Sequence, residues 1–157
     1  MPHITIEYTI LIPVLFIQII VFPFVANTMA MTWADSHREV ELQDAASRLA
    51  STIQQLYLCI NREEISAGNI TQASTLPSTI QSYSYKATGS LRTANSSKVL
   101  TLLLELQGTT TTTATATAVL GSNALWVEES VFQSNSLNAS IKVQKFDDGT
   151  LLFSFGS

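Results

Sequence analysis

Tyr8–Ala34, YTILIPVLFIQIIVFPFVANTMAMTWA, contains no charged side chain, and Glu7 and Asp35 close it at its two ends. Ile, Leu, Val, Phe and Met dominate the run. As a helix rising about 1.5 Å per residue it extends about 40 Å, against roughly 30 Å for the hydrocarbon core of a bilayer. The segment therefore has the length to span a membrane. A cleaved secretory signal would begin with a basic region and carry a shorter apolar core; here no Lys or Arg precedes Arg38. For the buried core helix of a soluble domain the run is too long and too apolar on every face. Two readings remain: a single-pass anchor in lipid, or a helix made to pack against other helices.

Several residues favour helix packing. Ala26, Ala30 and Ala34 recur every four positions and form a small-residue stripe along which two backbones can approach closely. Gln18 and Asn27 place amides within the apolar zone, where an unpaired amide is costly and a partner helix can supply its hydrogen bonds. Pro13 and Pro23 each remove one helical hydrogen bond and predict a kink or local unwinding. Beyond Trp33 charge returns without a break in the helix pattern. Leu42, Ala46, Leu49, Ile53, Leu56 and Ile60 recur at spacings of four and three, the stripe of an amphipathic helix. Neither Pro nor Gly interrupts the chain from Phe24 to Ala67. One continuous helix over about residues 4–60 is expected, apolar all round at first and one-sided later.

The remainder excludes several functions. Twelve acidic residues face eight basic ones that are scattered along the chain, which argues against nucleic acid as a partner. Cys59 is the only cysteine, so no disulfide forms within the chain; on a helix it reads as a small buried apolar residue. His3 and His37 both lie in the helical front, and after Cys59 there is neither His nor Cys. No catalytic residue, cofactor site or metal site is expected. From Ser66 onward, alternating segments predict strands at 82–86, 98–107, 110–120, 140–146 and 150–155, the last two joined through Asp147-Asp148-Gly149. Residues 121–138, with Trp126, read as an irregular excursion. The Thr109–Thr113 run is either a glycosylated tract or the start of a β-branched strand, and the Thr/Ala alternation that follows favours the strand. Asn69, Asn95 and Asn138 each head an Asn-X-Ser/Thr sequon and are candidate N-glycosylation sites.

The stretch Ile4-Thr5-Ile6-Glu7-Tyr8-Thr9-Ile10-Leu11-Ile12-Pro13 resembles the N-terminus of type IV pilins, and most closely those of archaeal adhesion pili. The resemblance covers about thirty residues and, loosely, the architecture of the rest. It implies that a prepilin peptidase removes a basic leader and that the apolar helix sits in the membrane before assembly. Membrane machinery would then build an extracellular homopolymer with the helices as its core. It further implies that Glu7 pairs with the α-amino group of a chain terminus and sets the stagger of subunits. In the family this glutamate is the fifth mature residue, which would place the mature start at His3; Met1–His3 lacks the basic residues and the small residue of a leader. The archaellum filament has a related architecture, but its glycine-rich N-terminus is less like Ile10–Pro13.

The expectation is an α+β chain: a long N-terminal helix, residues 1–62, then a small, mostly antiparallel sheet or sandwich domain, residues 63–157. The expected role is a non-enzymatic pilus subunit serving adhesion. The alternative is a membrane-anchored extracellular β-domain that binds a ligand or partner.

Overall fold

A computed structural model of the chain describes residues 3–94, 96–108 and 112–156, with side chains described from residue 9 onward. The fold is α+β. One helix, α1 (His3–Ile60), runs 58 residues with Pro13 and Pro23 inside it. Eight strands follow: β1 (Gly68–Ala73), β2 (Tyr85–Ala94), β3 (Ser97–Leu106), β4 (Thr113–Leu120), β5 (Ala124–Trp126), β6 (Val131–Gln133), β7 (Ser140–Lys145) and β8 (Leu151–Gly156). They form two four-stranded sheets, in the orders β1-β7-β8-β5 and β4-β3-β2-β6. Every pairing is antiparallel except that of β5 with β8.

By packing the chain divides inside the helix, into one unit ending at His37 and another beginning at Arg38. The second unit owns the core. Leu42, Ala46, Leu49, Ile53 and Ile60 are buried along the helix, as their three- and four-residue spacing predicts, whereas Leu56 is only half-buried and its neighbour Tyr57 is buried in its stead. Leu100, Leu102, Leu104 and Leu106 of β3 point inward at the two-residue period of a strand, and Ile141, Val143, Leu151 and Phe153 close the core from the other sheet. On the outer face of β2–β3, Lys86 and Glu105 are cross-strand partners and form a 2.7 Å ion pair.

The helix ends where its chemistry turns unfavourable. Glu63 and Glu64 would stand at the negative end of a longer dipole, and the last turn contains no basic residue of its own. Lys145 of β7 supplies the charge, donating from Nζ to the carbonyls of Ile60 (3.0 Å) and Arg62 (2.7 Å). At the other end of the unit, Ile80–Tyr83 is a two-residue turn with Gln81 (φ 46) and Ser82 (φ 74) both left-handed. Such a turn favours Asn and Gly, and each ordinary residue placed there costs about 1–2 kcal/mol. Arg38 braces it: Nε donates to Gln81 Oε1 at 3.1 Å, and the guanidinium lies 5.0 Å above the Tyr83 ring.

The structure corrects several expectations. Residues 121–138 are not an irregular excursion, because they contain β5 and β6. Trp126 is buried on the sheet, where a Cβ at Gly89 would come within 2.5 Å of its indole. The strand expected at 82–86 begins at Tyr85 and continues to Ala94, since Gln81 and Ser82 make the turn instead. β1 was not anticipated. Cys59 is exposed rather than buried, because it lies beside the core stripe and not on it. The Thr/Ala alternation forms β4, as expected, with Ala114 and Ala118 inward and the threonines outward; Thr109–Thr111 lie outside the described residues. The Asp147-Asp148-Gly149 hairpin is also as expected, with Gly149 at φ 82.

Candidate assembly surface

The first unit carries the predicted assembly residues. Its bulky side chains stand uncovered: Phe16, Phe22, Phe24, Met29 and Trp33 are between 62% and 73% exposed. The helix is long and apolar enough to cross a membrane, and none of its most apolar stretch is buried by the rest of the chain. An exposed apolar surface of this extent on a single helix calls for lipid or protein around it.

Ala26 and Ala30 are exposed and Ala34 is half-buried, all on one side of the helix. At about 100° per residue, Asn27 falls on the same side, whereas Gln18 lies roughly a third of a turn away. Both amides are exposed, and neither has a hydrogen-bond partner among the described residues. The hydroxyls in this region are satisfied internally. Thr28 Oγ1 donates to the Val25 carbonyl (2.8 Å), Thr32 Oγ1 to Thr28 (2.9 Å) and Ser36 Oγ to Thr32 (3.0 Å). Hydroxyls folded back in this way can lie in apolar surroundings without cost from an orphaned donor. Pro13 and Pro23 lie within the helix and lack the N–H that would bond back one turn. The side chain of Glu7 lies outside the described residues, so its pairing is not placed.

In the second unit, Asn69 is exposed on β1 and Asn138 is exposed in the turn before β7, while Asn95 lies outside the described residues. A depression of about 650 Å³ opens between the helix end and the β7–β8 turn, lined by Asn61, Glu63, Asn123, Lys145 and Asp148. Several of its polar groups are already committed. Lys145 caps the helix, and Asn123 Nδ2 donates to Asn61 Oδ1 (2.8 Å) and to the Gly149 carbonyl (2.7 Å). Asn123 Oδ1 accepts from the Tyr57 hydroxyl at 2.9 Å. Asp148 accepts the Thr150 N–H at 2.9 Å, a bond that holds its carboxyl below the usual range. Among the described residues no three His, Cys, Asp or Glu side chains converge as metal ligands. The arrangement locks the end of the helix to the sheet.

The sequence exposed the apolar front and its stripe. It gave no sign of Arg38 and Lys145 as the groups that fasten the helix to the domain, because both partners are backbone or side-chain atoms more than forty positions away. Compared with known protein families, curated proteins and solved structures, the chain matches none.

Proposed function

We propose that this chain is a structural subunit of an extracellular filament of the type IV pilin kind, with the apolar half of α1 packing against the same segment of other copies. One observation carries the reading. A helix apolar on all sides and uncovered within its own chain passes without interruption into a helix half that is the spine of a folded domain. Parallel copies would bury the phenylalanines and methionines, approach closely along Ala26, Ala30 and Ala34, and give Gln18 and Asn27 partners. Before assembly the same surface suits a membrane, from which a prepilin peptidase and assembly machinery would deliver the subunit. The outer β-domain, with its sequons, would face the medium and make adhesive contacts, with no catalytic role. A plain membrane anchor uses the same surface differently, and it predicts a detergent-soluble particle.

Electron microscopy of native material separates the two. Filaments with a dense core of parallel helices are expected, and discrete particles would overturn the proposal. Glu7→Gln tests the pairing implied by the family resemblance: assembly should fall sharply, and unchanged assembly would rule the pairing out while leaving the filament intact.

A further inference from the structure

We infer that Asn69 carries an N-linked oligosaccharide and that Asn138, which heads the same kind of tripeptide, does not. This assignment rests on the reading above that the β-domain lies outside the cell, where a lipid-phosphate-linked oligosaccharide would serve as donor. In the transfer, Asn69 Nδ2 attacks the anomeric carbon of the sugar. The new C–N bond replaces the C–O bond to phosphate, the lipid phosphate leaves with the electron pair, and a base of the transferase takes one amide proton. The third residue of the tripeptide must present its hydroxyl together with the amide.

The two sites differ in whether the fold allows that presentation. β1 is an edge strand, hydrogen-bonded to β7 alone, and of its six residues only Ile70 is even half-buried. Asn69 and Thr71 are two apart on the strand, so amide and hydroxyl stand side by side on its outer face, and both are exposed. β1 itself contributes only the half-buried Ile70 to the packing, and local opening of such an edge strand lies at the low end of the stability range. Ser140 of the Asn138 tripeptide is 6% exposed and begins β7, which is held between β1 and β8. A Cβ at Gly156 would come within 2.5 Å of Ser140 Oγ and 2.6 Å of Lys142 Cε, so this corner is closely packed. Presenting Ser140 requires parting β7 from β8 and exposing Ile141 and Val143, which are 2% and 1% exposed. Folding therefore withdraws Asn138 as an acceptor while leaving Asn69 available.

The surface beside Asn69 suits a sugar. A shallow depression of about 260 Å³ on the outer face is lined by Asn69, Thr71, Lys142, Gln144, Leu152 and Ser154. The first sugar residues would lie over these donors and acceptors. They would also shield β1, whose sequence GNITQA has neither charge nor Pro to discourage the addition of a foreign strand.

Peptide mapping by mass spectrometry of protein taken from its native cells tests the assignment, with protease added to intact cells as a parallel measure of location. The Asn69 peptide is expected to carry a complete oligosaccharide mass and the Asn138 peptide none. Asn69→Gln and Thr71→Ala should each abolish the modification, Thr71→Ser should retain it, and Asn138→Gln should change nothing. A bare Asn69 on protein that external protease digests overturns the inference and leaves the extracellular reading standing. Protein that the protease never reaches overturns both. Sugar on Asn138 defeats the argument from burial.

Discussion

Burial of the Tyr85 ring places a phenol hydroxyl at the edge of an apolar core, where it donates to the Pro77 carbonyl at 2.8 Å. Its N–H donates to Ser134 Oγ (2.9 Å), and that hydroxyl donates in turn to the Ser78 carbonyl (2.7 Å). Two residues thus fasten β2 to the preceding loop. Desolvation pushes the Tyr85 hydroxyl up to about 12. A group neutral in the fold and ionisable near pH 10 when unfolded contributes stability that is complete below about pH 10 and is lost as pH rises toward 12. Tyr85→Phe should cost about 1–2 kcal/mol at neutral pH, because the Pro77 carbonyl loses its donor. The variant should also lose less of its remaining stability than the parent at alkaline pH. Equilibrium unfolding at the two pH values checks both statements.

At the scale of elements, α1 joins two halves that satisfy different surroundings. The half from Arg38 onward is fastened by its apolar stripe, by Arg38 on the 80–83 turn, by Gln43 Nε2 on the Thr115 carbonyl (2.9 Å) and by Lys145 at its end. A chain beginning at Arg38 should therefore fold as a soluble monomer, with a cooperative melt seen by circular dichroism and a single small species in gel filtration. Within it, Leu49→Ala should cost about 2–5 kcal/mol, the usual range for emptying a fully buried leucine site. The legibility of these elements follows their physics. The helix could be read because it combines a long gap in charge with a later three-and-four spacing. β3 and β4 could be read because their alternation lasts through eight or more residues. β1 has one inward apolar residue and therefore no period to detect, and β5 and β6 span three residues each. Of the candidate surface, residue types and spacing were visible in sequence. Their lack of cover depends on where Leu42 onward is buried and the earlier residues are not, which only the fold reveals.

For the whole molecule, the division at His37 and Arg38 separates the part that holds the folded core from the part that, in the proposed filament, would pack against other copies. Ala30→Leu places a larger side chain on the stripe, at a position that is not part of the hydrophobic core. It should leave the melting temperature of the domain unchanged while greatly reducing polymer yield, as judged by sedimentation of sheared filaments. Equal yield from the variant would remove the stripe from the packing scheme. Cys59 offers a different kind of access. It is the chain's sole thiol, it stands exposed, and its neighbour Leu58 is 61% exposed. Each copy thus carries one maleimide-reactive handle without any engineering. On the proposed filament, labelling that proceeds in the free chain but stalls after assembly would footprint a seam between neighbours along this side of the helix. Labelling at one rate in both would mean that this flank faces open water, and two dyes given in succession would then reveal the end at which the fibre grows.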